Sequence, residues 1–543
     1  MRTGMGRRRL PRLILLLVVT LALAACSDRR PAERSAPAMG TAAPVAVAPS
    51  GAATPEPTPR AVVAVPRFEP TSCPFTPARG HEEGRTLVCG FVTVPEVHAD
   101  PGGRTIRLAV AVFKAHRGEG VPPLFWLDGG PGGYSLDGIA AQLTPALAAA
   151  LAGDRDLVVF DQRGVGYSQP SLTCTELLDL KYATLNRRLS RAEDAERGRQ
   201  AVQACHDRLV AAGVNLAAYT SAESAADVDD LRRALGYGEI NLYGVSYGTR
   251  LALTVMRDFP HILRAVVLDS PVPLQANLYV DVYGSAQRAF DLLFQRCAAD
   301  AGCNAAYPNL EDEFYALVRR LNAAPVPVPF IHPRTRAMYT YLLTGDRLVS
   351  ALFQMLYYGS IIPDLPRTII ALRDGDPAPF VRHYRDLLFY DQLSQGMYLS
   401  VQCGEEARFT STAEVQQAAR RVRPEIGAQQ GEGFGDDWFF RACGLWGARP
   451  AAPIENEPVT SEVPTLVLAG EFDPITPPAY AEEAARTLRN AYLFVFPGLG
   501  HGPGQSHPCP LLLLRAFLQD PGRRPEHACL GALRGPTWVL RSR

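Results

Sequence analysis

The segment with the clearest chemical potential is Gly244-Val245-Ser246-Tyr247-Gly248. It follows the apolar run Ile240-Asn241-Leu242-Tyr243 and precedes a stretch of helical pattern, so Ser246 is expected on a sharp strand-to-helix turn. Such a turn strains the serine backbone and needs glycine two positions to either side, where a side chain would block the chain. It also sets Ser246 at a helix N-terminus, whose amide dipoles favour a developing negative charge. A serine hydroxyl is a weak nucleophile near neutral pH. It requires a histidine to take its proton and an acid to hold that histidine in one tautomer. Both occur late in the chain. Asp473, in Gly470-Glu471-Phe472-Asp473-Pro474, stands just past the apolar run Thr465 to Ala469, and His501, in Gly498-Leu499-Gly500-His501-Gly502, just past the run Tyr492 to Phe496. The order Ser, Asp, His is that of nucleophile-elbow enzymes, and carboxyl ends of strands are where open α/β sheets place their sites. Asp269 and Glu471 compete for the acid and His507 for the base. Asp269 is followed by Pro271 and reads as a structural turn, and His507, beside Pro508 and Cys509, lacks the glycine setting that lets a loop approach the nucleophile.

Acyl transfer through a serine also needs two backbone N–H groups aimed at the oxyanion. Tyr247, directly after the nucleophile, supplies one. The loop Asp128-Gly129-Gly130-Pro131-Gly132-Gly133 supplies the other; Pro131 has no N–H, and Gly130 is selected because glycine allows close approach of the backbone. The run is not a phosphate loop, because neither G-x-x-x-x-G-K-[ST] nor G-x-G-x-x-G is present. No C-x-x-C pair occurs and His81-Glu82-Glu83 lacks the second histidine of a zinc helix, so no metal is expected, and the chemistry calls for no cofactor.

The elements that must position these residues are short apolar runs alternating with helical patterns, the signature of a mostly parallel sheet flanked by helices. Strands are expected at Ile106 to Phe113, Leu124 to Leu127, Leu157 to Phe160, Ile240 to Tyr243, Ala265 to Leu268, Thr465 to Ala469 and Tyr492 to Phe496. Residues 276–460 lack strand-like alternation and carry helical stretches such as Ala286 to Arg296 and Leu310 to Leu321, which reads as an inserted, mainly helical cap. The catalytic core is then divided into residues 71–275 and 461–543.

Ahead of the core, Arg7, Arg8, Arg9 and Arg12 precede an apolar run from Leu13 to Ala25 that is too short to span a bilayer, the pattern of a signal peptide over residues 1–26. It ends Leu23-Ala24-Ala25-Cys26, which resembles the bacterial lipobox, with Cys26 lipidated; ordinary cleavage after small residues, giving a soluble secreted protein, is the alternative. Residues 27–70, rich in Pro, Ala and Thr, read as a flexible tether. Eleven cysteines leave ten besides Cys26, an even number that suits an exported, oxidised chain. Pairing between neighbours in sequence would join Cys73 with Cys89, Cys174 with Cys205, Cys297 with Cys303, Cys403 with Cys443 and Cys509 with Cys529, although sequence alone does not fix the connectivity. Fifty-five basic and 55 acidic residues balance, and no basic patch stands out, so neither nucleic acid nor another electrostatic partner is expected. The oligomeric state stays open.

Asp128-Gly129-Gly130-Pro131-Gly132, Asp161-Gln162-Arg163-Gly164 and the elbow at Ser246 resemble, in order, the blocks of the proline iminopeptidase and tripeptidyl aminopeptidase branch of α/β-hydrolases. The likeness runs from about Phe91 to Leu274 and resumes at Val463. Asp128 departs from it, since proline iminopeptidases usually carry His before the Gly-Gly-Pro-Gly run. The resemblance implies an α/β-hydrolase fold with a cap and an exported exopeptidase acting on peptide N-termini. An esterase or lipase with the same triad is the alternative, and a non-catalytic peptide-binding lipoprotein a further one. A free α-amino group is a cation that, once buried, needs a negative partner. In the cap, Val401-Gln402-Cys403-Gly404-Glu405-Glu406 is similar to the cysteine-plus-acid segment of secreted members, which makes Glu405, with Glu406 beside it, the expected substrate-binding carboxylate.

Overall fold

The computed structural model describes residues 66–115, 120–429 and 437–540; the expected signal peptide, Cys26 and nearly all of the tether lie outside the described residues. Eleven strands are present: β1 (Phe68–Thr71), β2 (Leu87–Pro95), β3 (Thr105–Phe113), β4 (Leu124–Leu127), β5 (Leu157–Phe160), β6 (Ile240–Val245), β7 (Leu263–Asp269), β8 (Val326–Ile331), β9 (Met338–Leu343), β10 (Thr465–Gly470) and β11 (Ala491–Phe496). Nine of them form one sheet in the order β1-β2-β3-β5-β4-β6-β7-β10-β11. The strands from β5 to β11 run parallel, and β1, β2 and β3 pair antiparallel at one edge. Every residue of β4, β5, β6 and β10 is buried, which is why these strands read as continuous apolar runs. Side chains of β4 alternate between the two faces: Leu124 and Trp126 join the core under helix Pro508–Gln519, and Phe125 and Leu127 the core under helix Tyr247–Asp258. The edge strands β1 and β2 fall outside the expected set. In β2 the buried Leu87, Cys89, Val92 and Val94 alternate with half-buried residues, a pattern masked in the sequence by Gly90 and Pro95.

The cap differs from the expectation in two ways. It contains an antiparallel pair, β8 with β9, because Val328 and Phe330 of Val-Pro-Val-Pro-Phe-Ile face inward while Pro327 and Pro329 face out. It is also built from two excursions of the chain. Helices Thr175–Thr184 and Arg191–Ala211, which follow β5, bury Leu177, Val202 and Leu209 in the same core as Phe290, Phe314, Leu352 and Trp446 of the segment after β7. The hydroxyl of Ser394 donates to the Gly164 carbonyl at 2.7 Å and the Gly396 N–H to that of Leu172 at 3.0 Å, joining the two parts. All five disulfides form as the spacing suggested.

Candidate active site

The turn after β6 gives Ser246 φ 56° and ψ −126°, a conformation that only its surroundings can impose on a residue with a side chain. Contact, not only flexibility, demands the flanking glycines. A Cβ on Gly248 would lie 2.0 Å from the Leu127 carbonyl oxygen, and one on Gly244 would lie 2.3 Å from that of Gly248. Helix Tyr247–Asp258 can therefore start directly against β4. The Thr249 N–H bonds back to the Ser246 carbonyl at 2.8 Å, and the Tyr247 N–H ahead of it has no intrahelical acceptor. Tyr247 and Gly130 line one cavity with Ser246.

The glycine loop that carries Gly130 is held from beneath. Asp128 Oδ1 accepts the Gly129 N–H at 2.8 Å, and the Gln162 amide donates to the Asp128 carbonyl at 3.0 Å. The Asp161 carboxylate accepts the N–H groups of Leu136 at 3.0 Å and Tyr167 at 2.8 Å. Arg163, wholly buried, forks onto the Asp227 carboxylate through Nε and Nη2, both at 2.7 Å. Within the block Asp161-Gln162-Arg163, Gln162 thus holds the glycine loop directly, Asp161 holds the chain just beyond it, and Arg163 ties the block to Asp227.

Asp473 and His501 are joined. Asp473 Oδ2 accepts from His501 Nδ1 at 2.8 Å, Ser270 Oγ at 2.8 Å and Thr476 Oγ1 at 2.7 Å; Oδ1 accepts the N–H groups of Ile475 at 3.0 Å and Thr476 at 2.9 Å. Burial pushes this carboxyl up, but the facing imidazole and the ring of donors outweigh it and hold it below the usual carboxylate range. An ionised Asp473 assigns the proton to Nδ1 and leaves Nε2 as a lone-pair acceptor. Nε2 is buried and takes no hydrogen bond from the described residues. The Tyr357 ring lies 4.7 Å from the His501 ring, and Tyr357 and Thr476 both line the Ser246 cavity. The cavity at Ser246 is thus lined by two residues, Tyr357 and Thr476, that touch the acid and histidine pair.

On the cap side the cavity is lined by Gln402 and Glu406, which sit in one π-helical turn, Gln402–Glu406. Glu405 does not reach it. Its carboxylate accepts the Ser221 N–H and the Ser221 hydroxyl, each at 2.6 Å, with Arg250 Nε at 3.4 Å. The expectation that Glu405 meets the substrate gives way to Glu406, because the turn points the two neighbours in different directions, Glu405 toward Ser221 and Glu406 toward the cavity. Arg250 Nη1 pairs with Glu406 Oε1 at 2.9 Å. All three side chains are at most 4% exposed, so one cation stands between two buried carboxylates. Burial pushes Glu406 up to about 7, against the pull of Arg250.

A family model described as alpha/beta hydrolase fold matches residues 122–334, and one described as TAP-like protein matches residues 431–529. Carboxylesterase B of Mycobacterium tuberculosis is 30% identical over 497 residues, 84% of this chain and 89% of its own length. The chain belongs to the α/β-hydrolase family. This α/β-hydrolase is also 26% identical over 444 residues to serine protease Hip1 of Mycobacterium tuberculosis, covering 76% of this chain and 81% of that protein. A shorter match, 36% identical over 214 residues, relates it to tripeptidyl aminopeptidase of Streptomyces lividans, over 36% of this chain and 39% of that one. It is an enzyme of the hydrolase class.

The rival residues have other duties in this α/β-hydrolase. Asp269 Oδ2 accepts the Tyr243 hydroxyl at 2.5 Å and the Gly504 N–H at 3.1 Å, and burial pushes the carboxyl up to about 7. Glu471 accepts the Gly498 N–H at 2.9 Å and pairs with Arg296. His507 Nδ1 accepts the Cys509 N–H at 3.1 Å, capping helix Pro508–Gln519. Of two clusters with metal-ligand side chains among the described residues, one contains the disulfide Cys174–Cys205. In the other, His98, Asp227 and Asp230, Arg163 occupies Asp227. Sequence reasoning passed over Ser270 and Thr476. Thr476, three residues after Asp473, has a local signal, since an Asp followed by Thr at that spacing closes an Asx-type turn; Ser270 has none.

Proposed function

We propose that this protein is an exported serine exopeptidase that releases residues from peptide N-termini through an acyl-enzyme. Ser246 Oγ attacks the scissile carbonyl carbon while His501 Nε2 takes the hydroxyl proton. The oxyanion forms against the N–H groups of Gly130 and Tyr247, the amide C–N bond breaks, and His501 returns the proton to the leaving amine. Water, deprotonated by His501, then opens the acyl ester. The observation that carries the aminopeptidase reading is the charge at the far wall of the cavity. Arg250 neutralises one of Glu405 and Glu406, and the remaining negative charge opens, at Glu406, into the space beside Ser246. A buried surplus charge is costly unless a counter-ion arrives, and a substrate ammonium is one. The names of serine protease Hip1 and tripeptidyl aminopeptidase agree with a peptidase; that of carboxylesterase B favours a second reading, ester hydrolysis by the same triad. Export and a lipid anchor at Cys26 are supported by the lipobox-like segment and by five disulfides, which persist in oxidising compartments. Rates on aminoacyl-arylamides with free and acetylated amines test the reading: the acetylated compounds should be poor substrates, and equal cleavage of both forms would overturn it.

A further inference from the structure

On the aminopeptidase reading above, we infer that the acyl side of the site holds a single residue with a small apolar side chain, so that amino acids leave one at a time. The nucleophile and the surplus carboxylate line the same cavity, and that cavity measures about 50 Å³, far below the roughly 300 to 1,000 Å³ of pockets that take drug-sized ligands. The scissile carbonyl must sit at Ser246 beside Gly130 and Tyr247, and the ammonium must meet Glu406. In an aminoacyl group these two ends belong to one residue. In a tripeptidyl group two further residues separate them, adding about 7 Å of extended chain and about eight backbone heavy atoms. A cavity of about 50 Å³ lined by both Ser246 and Glu406 suits the first and is small for the second.

The walls are braced from behind. Tyr398 lines the cavity and its hydroxyl meets that of Tyr279 at 3.3 Å; Phe439 stacks on Tyr279 at 4.5 Å between ring centres. Tyr247 is tied through its hydroxyl to Ser221 at 2.8 Å, and Ser221 to Glu405. Leu278, Val272 and Ile475 supply an apolar lining, which suits a methyl or a few methylenes. Gln402, 4% exposed, lines the cavity and its Oε1 has no hydrogen-bond partner among the described residues. An ammonium has three donors. Glu406 takes one, and Gln402 Oε1 is placed to take a second.

The test compares alanyl, leucyl, phenylalanyl and Ala-Ala-Ala arylamides, with products followed by mass spectrometry. The expected result is direct release of the dye from alanyl-arylamide at a kcat/KM at least tenfold above the leucyl and phenylalanyl compounds. Ala-Ala-Ala-arylamide should release dye only after a lag, with free alanine first. Leu278→Ala, which enlarges the pocket outside the triad, should bring the leucyl compound to within a few-fold of alanyl. Intact Ala-Ala-Ala as the first product, or a variant with unchanged preference, would overturn the inference while leaving the aminopeptidase reading in place. Failure to cleave any free-amine arylamide, with aryl esters hydrolysed, would overturn both.

Discussion

Ser270 Oγ donates to Asp473 Oδ2 at 2.8 Å and accepts the Gly502 N–H at 2.9 Å, so one hydroxyl ties the loop of the acid to the loop of the histidine. Ser270 is wholly buried and has φ 59°, a strained backbone that the packing must sustain. Ser270→Ala should lower kcat by roughly tenfold with KM nearly unchanged, on the order of 1.5 kcal/mol for a hydrogen bond to a charged group. Steady-state kinetics with a thermal melt checks this. A fall in melting temperature without a fall in kcat would make the hydroxyl merely structural.

Ser246→Ala should abolish turnover and leave peptide binding and the melting curve close to wild type. Asp473→Asn should lower kcat by about 10⁴ through the wrong imidazole tautomer. Asp269→Asn is the control. Asp269 bonds to Tyr243 and Gly504, so its loss should act mainly on stability; a kcat loss as large as that of Asp473→Asn would reverse the assignment of the acid.

Ionisation of Glu406 gives KM a pH dependence. Its carboxyl, pushed up to about 7, is largely neutral below that pH and charged above it, and only the charged form pairs with an ammonium. KM for free-amine substrates should therefore fall as pH rises from 6 to about 7.5, before the substrate amine itself loses its proton. Glu406→Gln should erase this limb and lower kcat/KM by on the order of 2 to 3 kcal/mol for free-amine substrates. The pH profile on acetylated compounds should not change.

The disulfide Cys403–Cys443 anchors the π-helical turn that carries Gln402 and Glu406 to helix Asp437–Trp446. It is the only one of the five in which both cysteines are half-buried rather than one or both being fully buried, so mild reductant should open it first. Its 40-residue separation corresponds to about 4 kcal/mol of loop entropy at most. The double variant Cys403→Ser with Cys443→Ser should raise KM for free-amine substrates and lower the melting temperature. The pair Cys297 and Cys303, separated by six residues, should alter neither KM nor specificity when replaced.

Cys26→Ser should move the protein from the membrane fraction to the soluble one, because a lipid on Cys26 is the proposed anchor. Among the described residues no helix is long and apolar enough to cross a membrane. Continued membrane retention of the processed variant, measured by fractionation and mass spectrometry of its N-terminus, would refute the lipobox.

The elbow and the parallel strands were legible along the chain, and the local disulfide pairing was suggested though not fixed there, because short-range rules govern them. Gly244 and Gly248 answer to local sterics, β4, β5, β6 and β10 are apolar on both faces, and cysteines close in sequence meet without long loops. Asp473 and His501 were legible for the same reason, each standing just past a strand end. Ser270 was not, since its bonds to Asp473 and Gly502 span 203 and 232 residues and nothing near it in the chain announces them. Nor was the two-part cap, where helix Arg191–Ala211 packs with a segment a hundred or more residues onward. The choice between Glu405 and Glu406 lay equally beyond sequence. Adjacent residues of a helical turn point about 100° apart, and which of them meets the cavity depends on how that turn is rotated by Arg250, Ser221 and the disulfide at Cys403, contacts that exist only once the cap has closed over the sheet.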